Sequence, residues 1–280
     1  QRRVFAGTNN DPQIILMTKS GTESNLSFGL PTVDDDRIKF KVAAREANTI
    51  RHIVPLTQLL LLTGSAEWRV SSINSDALTP TSISVKPQSY VGANNAQPVI
   101  VNNSMVYAAA RGGHVRELGY NWQANGFITG DLSLRAPHLF DNLQIKDMAL
   151  AKAPIPIVWF ISSNGQLLGF TYVPEQTIGA WHKHDTDGIF ESVATVAESN
   201  DDSLYCVIKR TINGVSKRYI ERMNTRLYEK DRDAFFVDAG STYDGTNTDT
   251  NKTVTISGGT NYQRGESVTI TANYNLFNAP

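Results

Sequence analysis

The chain is poor in the residues that cross-link a fold or carry it through a membrane. It holds one cysteine, Cys206, in 280 residues. That excludes an intrachain disulfide framework and argues against an oxidising, secreted destination. Cys206 sits in the apolar run Leu204-Tyr205-Cys206-Val207 and reads as a small buried hydrophobe. No apolar stretch approaches the roughly 18–20 residues of a membrane-spanning helix. The chain opens Gln1-Arg2-Arg3 without a signal-peptide pattern and runs straight into a strand; this reads as a piece of a larger protein. An excess of charge is also missing: 26 Lys and Arg against 27 Asp and Glu leave a net charge of −1. A broad electrostatic surface for nucleic acid is therefore ruled out. The local pairs Lys209-Arg210 and Lys217-Arg218, and Arg222 with Arg226, read as solvated strand faces. No Gly-x-Ser-x-Gly elbow, His-Glu-x-x-His zinc motif or Walker A loop occurs.

What the chain does have is repetition. Apolar strands begin at Leu59, Met105, Ile157 and Leu204, each followed by a turn and a return strand. The turns are Thr63-Gly64-Ser65, Arg111-Gly112-Gly113, Ser163-Asn164-Gly165 and Ile212-Asn213-Gly214. Asn-Gly suits tight hairpins because both residues tolerate positive φ. Return strands are expected at 66–70, 114–118, 166–172 and 215–223. A short strand precedes each pair, at 50–56, 98–101, 147–151 and 192–197, and a further strand fits 178–184. A fifth hairpin opens the chain, with 4–7 running through a turn at Asp11-Pro12 into 13–18. Several short strands in a period of roughly 40–50 residues are the mark of β-propeller blades. The expected fold is all-β: a β-propeller-like array of antiparallel blades over 1–236. The Ser/Thr/Pro-rich stretch 71–91 reads as a loop leading to an extended segment at 83–90, and 132–140 as one or two helical turns limited by Pro137. Composition shifts after Phe236, and 237–280 is expected to start a small additional C-terminal β module, a sandwich or barrel with too few strands for its own core.

The densest polar cluster is His182-Lys183-His184-Asp185-Thr186-Asp187-Gly188. In a strand, His182 and His184 share a face, as a metal pair would, and Asp185 and Asp187 offer oxygens. No third partner is fixed by spacing and the calcium-loop pattern is absent, so the favoured reading is a strand end running into an Asp-Gly turn. His138, after Pro137, reads as a packed or loop histidine. Glu67, Glu117 and Glu221 are expected to end return strands near Arg69, Arg116 and Arg222. A glycosidase pair among such carboxylates would be defined by distance, not by spacing. Trp68, Trp122 and Trp181 are candidates for stacking on sugar faces, although tryptophan in a blade more often belongs to the core. The sequence assigns no catalytic, cofactor-binding or metal-ligating residue.

Six stretches, taken in order, resemble one family. They are Arg3-Val4-Phe5-Ala6-Gly7 with Pro12-Gln13, Arg51-His52-Ile53-Val54-Pro55-Leu56, Gly64-Ser65-Ala66-Glu67-Trp68, Ala136-Pro137-His138-Leu139-Phe140, Trp181 to Gly188, and Arg210-Thr211-Ile212-Asn213-Gly214 with Arg218-Tyr219-Ile220-Glu221. Together, over about Arg2 to Met223, they resemble the tail hub or nozzle proteins of tailed bacteriophages, known as tail tubular protein B or packaged-DNA stabilisation protein. The resemblance implies a non-enzymatic virion protein with a β-propeller, without cofactor or metal. It would be made in the host cytoplasm and placed in the phage tail. Copies of it would form a ring below the portal and its adaptor, a conduit that retains the packaged genome and later lets it eject. Near-neutral charge suits such a conduit, through which DNA passes without specific binding. A nozzle protein is normally longer, with N-terminal material that docks on the adaptor, and that material is absent here. The stretch 258–273 resembles a small β-barrel insertion found in phage proteins, which implies no chemistry. Two other readings stay open: a carbohydrate-binding, host-receptor propeller module of a tail, and a propeller glycoside hydrolase.

Overall fold

Five antiparallel meanders follow one another along the chain. The computed structural model describes residues 1–43, 48–73, 77–176, 178–212, 214–225 and 227–228. Sheet I contains β1 (Val4–Ala6), β2 (Ile14–Met17) and β3 (Ile38–Lys41). Sheet II contains β4 (Ile50–Pro55), β5 (Leu59–Thr63), β6 (Glu67–Ser72) and β7 (Ile83–Ser89). Sheet III contains β8 (Val99–Val101), β9 (Ser104–Ala108), β10 (Val115–Asn121) and β11 (Gly126–Asp131). Sheet IV contains β12 (Ile145–Ala151), β13 (Ile157–Ser162), β14 (Leu167–Val173) and β15 (Ile178–His184). Sheet V contains β16 (Ile189–Glu198), β17 (Asp201–Ile212) and β18 (Val215–Arg222). Strand order follows sequence order in every sheet. The architecture is thus the expected all-β, blade-like array. No helix among the described residues is long and apolar enough to cross a membrane.

The continuous apolar runs have a packing cause. A strand with one wet face alternates; a strand packed on both faces does not. All six residues of β13 are buried, and Leu60, Leu61 and Leu62 of β5 are fully buried. Successive residues of these strands serve opposite seams. Leu61 faces sheet I, packing with Ile15, Met17 and Ile38. Leu60 and Leu62 face sheet III, packing with Met105, Tyr107 and Leu118. Likewise Val158 and Phe160 pack with Val106, Val115 and Phe140 of the sheet III side, whereas Trp159 and Ile161 pack with Phe190, Leu204, Cys206 and Ile208 of sheet V. Burying each such large apolar side chain stabilises by about 1.5–3 kcal/mol. Each of the four core clusters joins sheets adjacent in the chain, and among the described residues none joins sheet V to sheet I.

The sheets can be aligned through a recurring close approach. The chain enters each new sheet by crossing the turn after the second strand of the sheet before. At Gly113 and Gly165, both left-handed (φ +70° and +81°), a Cβ would strike Leu143 and Ile189, which lead into sheets IV and V. At the first crossing Gly92 (φ +75°) is the glycine, set against the Gly64 carbonyl of that turn. In sheet I the same contact is made by Gly7 (φ +66°), just after β1, against Ile50. So β1 occupies the second-strand position, and sheet I holds the second, third and fourth strands of the pattern. Sheet V holds the first three.

Three expectations need adjustment. The stretch 83–90 is the fourth strand of sheet II, Ile83–Ser89, paired with β6, not only a loop's extension. β11 is a strand the repeat pattern missed. The helical turns at 132–140 are two 3-10 turns, Ser133–Arg135 and Pro137–Leu139, with Pro137 in the first turn of the second. The C-terminal module at 237–280 lies outside the described residues.

Candidate functional site

The strand alternation that puts His182 and His184 on one face also puts them over glycine. In the β14–β15 ladder His182 lies opposite Gly169 and His184 opposite Leu167. The His182 ring fills the space a side chain at Gly169 would need. His182 Nδ1 and His184 Nε2 are 2.8 Å apart, and both rings meet the buried Trp159 ring edge-on, at 5.5 and 5.2 Å. An N–H···N contact needs one donor and one bare nitrogen, so it exists only while one imidazole is neutral. Burial holds the His184 pKa below its ordinary 6.5, with Asp185 opposing. The unfolded chain then takes up this proton at higher pH than the folded one. Stability from this group is therefore complete above about pH 6.5 and is lost as pH falls through the lower folded-state value. Urea midpoints between pH 7.5 and 5 should drop for the wild type and stay flatter in His184→Gln; equal slopes would refute the assignment.

Two carboxylates follow the pair in the chain, Asp185, whose charge acts on His184, and Asp187. Asp185 pairs with Lys183 at 3.1 Å, and the Asp187 carbonyl accepts a hydrogen bond from Arg210 Nη1 at 2.7 Å. Among the described residues no group of three or more His, Cys, Asp or Glu surrounds one metal position.

The three glutamates each have a separate partner. Glu67 does not end its strand: it opens β6, and it is fully buried. Its Oε2 accepts a hydrogen bond from the Ser89 hydroxyl. Burial first, and then the Glu67 charge, push the Tyr107 phenol up. Glu117 lies inside β10, and after burial it is the main cause that pushes Tyr172 up. Glu221 binds Arg210 through both oxygens, at 2.6 and 2.8 Å. Arg210 is buried, which corrects the expectation of a solvated basic face there. Arg222, expected beside Glu221, bonds Glu198 instead, and Arg218 bonds Glu191. The Cys206 thiol is pushed up to about 12, by burial and then by Glu221, so it is no nucleophile near neutral pH. His138 is exposed on its 3-10 turn.

The tryptophans divide clearly. Trp68 is buried in the seam between sheets I and II. Trp181 is packed among Phe140, Phe160 and Phe170, with ring centroids at 4.7, 5.2 and 4.5 Å, and donates its N–H to the Leu132 carbonyl at 2.8 Å. Neither is free to stack on a sugar. Trp122, in the turn between β10 and β11, is 78% exposed. Exposed Tyr90 and Tyr120 are further aromatics that sequence reasoning did not single out; nothing in their spacing marks them. A small pocket lined by Trp159, Asp201, Asp202, Ser203, Leu204, Met223 and Asn224 has a volume of about 10 Å³, room for roughly one water.

The polar seams involve residues that the pattern did mark. Arg51 Nη1 donates to the Ala93 carbonyl at 2.6 Å, and His52 Nε2 lies 2.8 Å from the Asn94 carbonyl. Asn94 Nδ2 in turn donates to the Ile145 carbonyl at 2.6 Å. This relay ties sheet II to the chain entering sheet III, and that to the start of sheet IV.

No family model and no curated protein matches the chain. Among solved structures it is similar to a luciferin-regenerating enzyme, at 10% sequence identity and a TM-score of 0.39, over 79% of this chain and 75% of that one. A likeness at that level carries no argument about activity.

Proposed function

We propose that the chain is part of a virion structural protein, a subunit of the tail nozzle or hub of a tailed phage. In this reading it is not an enzyme, and it works as a wall of the DNA conduit below the portal. One observation carries the reading. Most of the stretches that resemble the nozzle family supply contacts that hold sheets together. Gly7 receives Ile50; Arg51 and His52 bond the chain entering sheet III. Trp68, Phe140 and Trp181 fill seams, and Arg210 with Glu221 locks sheet V to the loop before it. Residues spent on seams suit a protein whose task is to keep a shape. The test is electron microscopy of the protein mixed with its phage's portal–adaptor complex. A symmetric ring attached below the adaptor is the expected result. A monomer that ignores the complex would overturn the reading.

A second reading, a carbohydrate-binding module of the tail, is favoured by one observation, the exposed indole of Trp122. Sugar rings stack on such faces. A glycan array that shows binding abolished by Trp122→Ala would establish it, and a blank array would remove it.

A further inference from the structure

His182 and His184 are held in a geometry that a hydrogen bond between them does not exhaust. Both belong to β15, and both are half-buried, so solvent reaches them. Gly169, opposite His182 in the ladder, leaves the room that the His182 ring takes. The buried Trp159 ring meets both imidazoles edge-on. Packing therefore positions the rings, and their facing nitrogens, His182 Nδ1 and His184 Nε2, are 2.8 Å apart. With metal–nitrogen bonds of about 2.0 Å, nitrogens at that separation subtend about 90° at a shared ion. This is the cis angle of a square-planar or tetragonal ion. A tetrahedral ion asks for about 109°, and so for nitrogens about 3.3 Å apart. The protonation states suit ligation as well. Thr171 Oγ1 stands 3.5 Å from His182 Nε2 and can accept from Nε2–H, the tautomer in which Nδ1 is bare. Burial favours the neutral form of His184, so protons compete little for it near neutral pH. Asp185, which pairs with Lys183, is the charge that acts on His184.

We propose that His182 and His184 form a two-nitrogen chelate for a divalent ion of square-planar or tetragonal preference, copper(II) first and nickel(II) after it. His182 ligates through Nδ1 and His184 through Nε2. Water fills the remaining positions, since among the described residues no third His, Cys, Asp or Glu completes a group with the pair. The proton balance is simple. Without the ion, one proton lies between the facing nitrogens. On binding, the ring that carries this proton keeps it on its other nitrogen, and each neutral imidazole displaces one metal-bound water. No proton is released and nothing is oxidised. Because both ligands are already packed side by side, little ordering remains to be done when the ion arrives. The site is independent of the nozzle reading, for it asks nothing of what the array assembles with.

The test is titration of the full 280-residue chain, without a polyhistidine tag, with copper(II), followed by calorimetry and by tryptophan emission at pH 7.5. Trp159 meets both rings, so bound copper(II) is expected to quench emission in a saturable step, at one ion per chain. Zinc(II) should bind about tenfold more weakly or less. His182→Gln and His184→Gln should each remove the saturable step. His138→Gln, on its exposed 3-10 turn, should leave it unchanged. Electron spin-echo spectroscopy of the copper(II) complex should show two coordinated imidazoles, a readout that needs no variant and so stands even where a histidine replacement disturbs the fold. Absence of a saturable step, a step that survives the loss of both histidines, or a spectrum with fewer than two imidazoles would overturn the proposal. Zinc(II) bound as tightly as copper(II) would overturn it too, since the nitrogens would then have moved to the tetrahedral spacing.

Discussion

Glu221→Ala is expected to destabilise the protein by about 3–5 kcal/mol, because it strands a buried guanidinium. Arg210 emerges from β17 into the covered side of sheet V, with its side chain only 6% exposed and that of Glu221 15%. The two carboxylate oxygens meet its Nε and Nη2, and Nη1 is taken by the Asp187 carbonyl. The planar fork is thus matched on two sides, and lysine could not reproduce it. Removing the carboxylate leaves the cation without its counter-charge where water cannot replace it. Removing both charges is a different matter: Arg210→Met with Glu221→Leu should be close to neutral or stabilising, since burying an ion pair carries a desolvation cost that apolar packing avoids. Urea unfolding at pH 7 checks both. A loss below about 1 kcal/mol in Glu221→Ala would show that the pair behaves like a solvent-exposed one, and the lock between sheet V and the preceding loop would have to be sought elsewhere.

Gly113→Ala is expected to cost about 3 kcal/mol or more. Two effects combine. The residue sits at φ +70°, and its new methyl would be driven into the Leu143 carbonyl and against that of Phe140. The left-handed conformation alone costs an L-residue about 1–2 kcal/mol. The collision must then be relieved by moving the chain where it enters sheet IV. Gly130→Ala is the control. Gly130 lies in edge strand β11 with nothing within 4 Å of the new methyl, so its replacement should be neutral or stabilise by about 0.5 kcal/mol. Thermal melts of the two variants decide the matter. Equal effects would mean that the crossing is slack and does not set the spacing of the sheets.

The second strands of sheets II, III and IV were legible in the sequence because they are packed on both faces. Leu59 to Leu62 and Ile157 to Ile161 are runs that only a doubly covered strand produces, and the glycine-bearing turns after them mark the hairpins. The outer strands were harder for the same physical reason. In β11, Gly126–Asp131, Phe127 alone is buried, so there is no alternation to read. In β7, Pro87 falls in a strand that no residue buries deeply, and an edge is where proline is tolerated. The candidate site divides in the same way. Parity along a strand placed His182 and His184 together correctly. Parity cannot say which face is covered, so Trp181 and Trp68 looked as available as Trp122. Nor can it say which cation meets Glu221. That is set by hairpin register, which places Arg218 and Arg222 on the face of β18 opposite Glu221, and Arg210 on the same side as it.

The seams described above join only sheets that are consecutive in the chain, and this has a mechanical meaning. With no core cluster spanning the two ends among the described residues, cooperativity passes from neighbour to neighbour, as in a stack of repeats. Damage at one seam stays local, and sheets I and V, each held on a single face among the described residues, are the first to let go. Sheets II to IV, gripped from both sides, form the part that persists longest under heat or load.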